Sequence, residues 1–201
     1  RYVLVVGAGG YIGRHVCQHL ASAGHIYAAA VRSASADVDP TCYPGGTVLA
    51  GLDLAALAES SALFDFDDIV LLASESVPST FPDSLSDEVA CNLYPYANLL
   101  AKVAANQRVV YVSSGGTVYG EARPDGGSRE GDELRPCSMY GLVKAMIEQT
   151  VAYYARKNLY QFVILRPSNP IGPPVWRLAE KGIKRQQGAL ANFLNTIANG
   201  G

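Results

Sequence analysis

Tyr140 and Lys144 stand four residues apart in the segment YGLVK. Residues i and i+4 of a helix project from one face, so a phenol and an ammonium so spaced can share a pocket. A neighbouring positive charge favours the phenolate, and Lys144 is therefore expected to lower the pKa of Tyr140. A phenol tuned in this way can give or take a proton at a sugar-like hydroxyl near neutral pH. Upstream, an apolar strand runs into the hydroxyl-rich turn YVSSGGTVYG at 111–120, where Ser114 and Thr117 offer hydroxyls to the same chemistry and Ser113 closes the strand. A Tyr and a Lys at this spacing also occur on ordinary helices, with a surface Lys beside a half-buried Tyr. The opposite end of the chain separates the two cases.

The chain opens RYVLVVGAGGYIG. Its apolar, β-branched start predicts a buried strand over 2–6. Gly7, Gly10 and Gly13 follow at three-residue spacing, with Gly9 between them. Strand, glycine turn and helix in that order present backbone amides to a pyrophosphate. The spacing differs from the usual dinucleotide fingerprint, in which the third glycine would fall at Ile12. Tyr11 and Ile12, at the helix start, join the four glycines as expected cofactor contacts.

An acidic residue at the end of the second strand would bind the adenosine ribose hydroxyls. Here that strand, 25–31, ends in Val31, Arg32 and Ser33. A guanidinium and a hydroxyl suit a 2′-phosphate, which leans the cofactor toward NADP over NAD. Asp53, after the third strand, is a candidate partner for the adenine amino group, with Leu54 beside it. Ala73 and Ser74 begin a Ser- and Pro-rich loop after the fourth strand, where the nicotinamide ribose would lie, and Ser76 is placed on its substrate side. Pro167 opens the later loop, 167–187, and is assigned to the cofactor.

Strand-like segments at 2–6, 25–31, 47–50, 68–72, 108–113 and 161–165 alternate with helix-like ones at 11–23, 53–61, 84–105 and 138–157. Such alternation predicts an α/β fold, a doubly wound Rossmann-type parallel sheet covered on both faces. Ligands of such sheets bind beyond the carboxyl ends of the strands, where both motifs fall. The dinucleotide-binding domain is expected over 1–168, and only the start of a C-terminal substrate lobe over 169–201. That start includes a helical pattern at 188–199.

Of the 201 residues 49% are hydrophobic and 17% charged, and the formal net charge is -2. One globular core is expected, with no nucleic-acid partner. No apolar run is long enough to span a membrane, and no signal peptide is visible. Cys17, Cys42, Cys91 and Cys137 are scattered, which predicts reduced thiols and a cytoplasmic location. His15 and His19 share a helix face, but no Glu motif accompanies them and no metal is expected.

The motifs GAGGYIG at 7–13, SSGGTVYG at 113–120 and YGLVK at 140–144, followed by LRPSNPIGP at 165–173, resemble in order those of the extended short-chain dehydrogenase/reductase superfamily. The likeness is in particular to its NAD(P)-dependent nucleotide-sugar epimerase/dehydratase family, and it covers almost the whole chain. The resemblance implies that Tyr140 is the catalytic acid/base, that Lys144 holds the nicotinamide ribose, and that Asn169 lies near the sugar diphosphate. It also implies that the helices at 84–105 and 138–157 can pair two subunits in a homodimer. Members with the turn SSSATVYG use its third Ser on the substrate hydroxyl, a position held here by Gly115. Ser114 or Thr117 would then supply that hydroxyl. Family 4,6-dehydratases carry Thr-Asp-Glu in this turn, and the lack of any Asp or Glu between 113 and 120 disfavours that reaction.

The expected activity is hydride transfer between a nucleotide sugar and NAD(P), as an epimerase or as an oxidoreductase. The alternative is a non-catalytic NAD(P)-binding sensor or regulator, motivated by Arg32, Gly115 and the shortness of the chain. An intact Tyr140 and Lys144 pair has no needed role in a sensor.

Overall fold

A computed structural model of the protein describes residues 1–32, 39–78, 84–121 and 126–170. Among the described residues six parallel strands form one sheet in the order β3-β2-β1-β4-β5-β6. They are β1 (Tyr2–Val6), β2 (Ile26–Val31), β3 (Thr47–Ala50), β4 (Asp68–Leu71), β5 (Arg108–Val112) and β6 (Gln161–Leu165). The helices are α1 (Tyr11–Ser22), α2 (Leu54–Glu59), α3 (Leu85–Glu88), α4 (Tyr94–Leu100) and α5 (Met139–Asn158). The strand order reverses at β1, which pairs with β2 on one side and β4 on the other. A crevice opens at the carboxyl ends of strands at such a reversal.

Successive residues of a strand face opposite sides of the sheet, so strands buried on both faces need apolar residues at every position. Leu4, Val6, Ile69, Leu71, Val109 and Tyr111 pack with Leu57, Leu99, Leu100, Val143, Ile147 and Val151 of α2, α4 and α5. Val3, Val5, Ala29 and Val31 pack on the other face with Cys17 of α1 and with Tyr43. The doubly wound expectation therefore holds. Among the described residues no helix is long and apolar enough to cross a membrane.

One expected helix is broken. The apolar pattern over 84–105 predicts a continuous helix, whereas α3 passes into a π-helical segment, Val89–Leu93, before α4 begins, and α4 ends at Leu100. Pro95 sits in the first turn of α4. It has no N–H to give to a carbonyl of the preceding turn, and a widened turn accommodates that missing bond. The expected substrate lobe, 169–201, lies outside the described residues except for Asn169 and Pro170, as does the helix expected at 188–199.

Candidate active site

A cleft of about 930 Å³ lies over the carboxyl ends of β1, β2, β4 and β5. Its lining includes Gly7, Gly9, Gly10, Tyr11, Ile12, Gly13, Arg32, Asp53, Leu54, Ala73 and Ser74, all expected at the cofactor. Ser76, Ser114, Thr117, Tyr140, Lys144, Pro167 and Asn169 line the same cleft. Residues from opposite ends of the chain thus converge on one space. Ser33 lies outside the described residues, and Gly115 is not part of the lining.

The glycine turn is built for close approach. Gly7 has φ 85°, and a Cβ there would stand 2.7 Å from the Ala73 backbone nitrogen. A Cβ on Gly13 would run into the Gly7 carbonyl and come within 2.6 Å of Ala8 Cα, so α1 can lie against β1 only with glycine at 13. α1 starts at Gly10 with no side-chain oxygen capping it. A helix start of this kind keeps its dipole and backbone donors for an anion, as a dinucleotide pyrophosphate requires. At α2 the opposite holds, because Asp53 Oδ1 accepts from the Ala56 N–H at 2.8 Å. One oxygen of the expected adenine partner is thus occupied as a helix cap.

At the other end of the cleft, Ser138 caps α5 by accepting from the Gly141 N–H at 3.1 Å, which fixes Tyr140 and Lys144 in its first two turns. Lys144 Nζ lies 5.6 Å from the Tyr140 ring centroid and 5.4 Å from that of Tyr111. The ammonium therefore sits among ring faces. Burial lowers the Lys144 pKa to about 8, against the opposing pull of Glu88. Burial, aided by Glu88, pushes Tyr140 up to about 12. This corrects the expectation that Lys144 lowers the phenol: desolvation dominates. A phenol raised in this way keeps its proton at neutral pH.

A family model described as the NAD dependent epimerase/dehydratase family matches residues 3–201. The chain belongs to this family. It is 30% identical over 133 residues to the dTDP-4-dehydro-6-deoxyglucose reductase of Escherichia coli, an alignment that covers 65% of this chain and 40% of that protein. Its fold matches that of the UDP-glucose 4-epimerase of Thermus thermophilus, solved with NAD, at a TM-score of 0.71 and 25% identity over 87% of this chain and 57% of that one. A short-chain dehydrogenase/reductase superfamily protein from Agrobacterium tumefaciens, solved with bound NAD, matches at a TM-score of 0.66 and 28% identity, covering 83% of this chain and 48% of that one. The chain thus spans between two fifths and three fifths of the length of these relatives.

The turn after β5 shows why this family member carries Gly115. The Gly115 N–H donates to the Pro167 carbonyl at 2.9 Å, drawing the turn beneath the segment that leaves β6. A Cβ at this position would run into the Arg166 carbonyl oxygen. No side chain fits at 115, and the hydroxyls facing the cleft in this turn come from neighbouring positions such as Ser114 and Thr117. Gly115→Ser is accordingly expected to cost about 1–3 kcal/mol of stability, through a displaced backbone, and to bring no gain in turnover. Thermal melting and steady-state rates of the variant check both.

Three residues at the site escaped sequence reasoning. Glu75 lines the cleft and its carboxylate pairs with the Arg32 guanidinium, 43 residues away. Asn92 lines it too, accepting from the Glu75 N–H at 2.9 Å. Glu88 lies behind Asn92, almost fully buried. A proline inside a helical pattern with polar residues four apart on its apolar side was the one available signal for the last two.

Proposed function

We propose that the protein binds NAD or NADP along this cleft and moves hydride between the nicotinamide and a carbon of a nucleotide-activated sugar, with Tyr140 moving the proton. The observation that carries the proposal is the placement of Tyr140 and Lys144 in the same cleft as the uncapped glycine turn. When bound, the dinucleotide supplies the hydride acceptor or donor. The chain's own part is to hold the pyrophosphate at the start of α1, to hold the nicotinamide ribose with Lys144, and to meet the reacting oxygen with Tyr140. Ser114 and Thr117 would orient that oxygen and Asn169 would meet the sugar diphosphate, whereas Ser76, expected on the substrate side, is 2% exposed and gives its hydroxyl to Glu88.

A protonated Tyr140 suits delivery of a proton to a carbonyl oxygen, the reductive half of either an epimerase or a reductase cycle. Release of altered cofactor during turnover separates the two: an epimerase returns its hydride and releases none. Calorimetric titration with NAD and NADP, followed by assays with UDP- and dTDP-sugars, tests the proposal. Micromolar dinucleotide binding with sugar-dependent turnover is expected. Failure to bind either dinucleotide removes it.

Arg32 makes the choice of dinucleotide conditional. Its guanidinium is engaged by Glu75, so a 2′-phosphate would have to displace a carboxylate and then lie beside it, whereas NAD meets no such demand. An exposed ion pair contributes at most about 1 kcal/mol, and repulsion of the phosphate adds to the barrier. Glu75→Gln is expected to tighten NADP binding roughly threefold to tenfold and to leave NAD within about twofold. Equal changes for both dinucleotides would show that Arg32 does not meet the 2′ position.

The proposal extends to a cytoplasmic homodimer paired through the α3 to α5 side, where Tyr94 and Tyr153 are more than half exposed. A closed two-fold pair is the commonest assembly for such a face. Light scattering that gives a monomer mass at micromolar concentration would remove this part alone.

A further inference from the structure

Glu88 ends α3 with 1% of its surface exposed, beneath the loop that follows β4. Its Oε1 accepts from Ser76 Oγ at 2.6 Å and from Asn92 Nδ2 at 3.0 Å. The Asn92 orientation is fixed from its other side, because its Oδ1 accepts from the Glu75 N–H at 2.9 Å. Both donors are therefore directed at one carboxylate oxygen. The second oxygen, Oε2, is buried and has no hydrogen-bond partner. A buried carboxylate oxygen with nothing to accept is costly unless a positive charge lies within reach of its field.

That charge is on α5, which packs against α3. Lys144 is buried among the Tyr140 and Tyr111 rings, and neither a hydrogen bond nor an ion pair to a described residue compensates its ammonium. The ionisable groups around it are few. Tyr140 lies one turn away on α5, Tyr111 faces it from β5, and Tyr96 of α4 stacks edge-on against Tyr111 with centroids 5.4 Å apart. Glu148, one turn further along α5, is committed to Arg166 at 2.6 Å. Glu88 is the carboxylate whose field reaches both Lys144 and Tyr140.

We propose that Glu88 is the buried counter-charge of Lys144, a positioning residue that keeps the ammonium charged inside the cleft and is itself locked by Ser76 and Asn92. The π-helical segment between α3 and α4 has a purpose in this arrangement, since Glu88 and Asn92 flank and enter it and both face inward. The consequence for turnover rests on the function proposed above, but the ionic coupling does not.

Nuclear magnetic resonance of lysine side chains labelled at Cε, with the Lys144 signal assigned by its loss in Lys144→Met, reads the coupling directly. In Glu88→Gln, which keeps shape and loses charge, the Lys144 titration midpoint is expected to fall by about one pH unit or more. In Glu88→Asp, which keeps the charge and disturbs the bonds to Ser76 and Asn92, it is expected to stay closer to wild type. If Gln does not fold, Glu88→Met is the uncharged replacement, with the same expected fall. An unchanged midpoint in the uncharged variant, or equal shifts in the uncharged and Asp variants, would overturn the proposal. If the midpoint moves as expected and no dinucleotide binds, the functional proposal fails while the pairing stands.

Discussion

Replacing Tyr140 with Phe is expected to lower turnover by about 10²- to 10⁴-fold, the usual contribution of a positioned proton carrier. The substitution removes one oxygen and leaves the ring on which the Lys144 ammonium rests. Dinucleotide affinity is expected to stay within about threefold of wild type, because the phosphate end of the cleft, at the start of α1, is untouched. Both kcat and kcat/KM should then fall by the same factor, the signature of an interaction made only in the transition state. Steady-state kinetics beside calorimetry of the same variant checks this. A non-catalytic sensor would keep both its ligand affinity and its biological effect.

Replacing Glu148 with Ala is expected to have the largest effect on stability. The Glu148 side chain is 2% exposed and that of Arg166 22%, and two guanidinium nitrogens reach the carboxylate, at 2.6 Å from Nη2 and 3.0 Å from Nε. Arg166 also donates to Tyr119 Oη at 2.6 Å and to the Glu130 carbonyl at 3.1 Å. Removing one partner of a buried pair costs about 3–5 kcal/mol, chiefly because the other charge is left unpaired. Partial exposure of Arg166 reduces this to about 2–4 kcal/mol, a fall in Tm of roughly 5–15 °C for a chain of this size. Glu133→Ala, which removes the exposed Arg135 pair, should change Tm by about 4 °C at most. Equal melting losses in the two variants would show that Arg166 is not the clamp described here. Because Arg166 and Tyr119 bracket the turn that carries Ser114 and Thr117, turnover in Glu148→Ala should fall before the protein melts.

The sheet was legible because its strands are apolar at most positions, and the glycine turn because Gly13 can lie against the Gly7 carbonyl and Ala8 only without a Cβ. Tyr140 and Lys144 were legible as a pair through helical spacing read together with the glycine turn at the other end of the chain. Their electrostatics were not. The sequence shows the ammonium beside the phenol but neither the burial that raises Tyr140 nor Glu88, which reaches it from another helix. Arg32 suggested a 2′-phosphate because Glu75, its partner, lies on a different strand end. Gly115 read as a lost serine, and only the carbonyl of Arg166 explains why no side chain fits there. The break at Pro95 was visible as a residue, but its effect, a π-helical turn that brings Asn92 to the cleft and Glu88 behind it, depends on the packing of α3 and α4 against α5.

The most direct test of the chemistry is transfer of label. The protein is incubated with NAD or NADP and a panel of UDP- and dTDP-sugars deuterated at the ring carbons, and both nicotinamide and sugar are examined by mass spectrometry and sugar analysis. Deuterium left on the nicotinamide, as an oxidoreductase requires, or an epimerised sugar that keeps its deuterium, as an epimerase that returns its hydride requires, is the expected result, and either is lost in Tyr140→Phe. Dinucleotide that binds in the cleft while no sugar of the panel passes deuterium to it or is epimerised with its label retained would contradict hydride chemistry at this site.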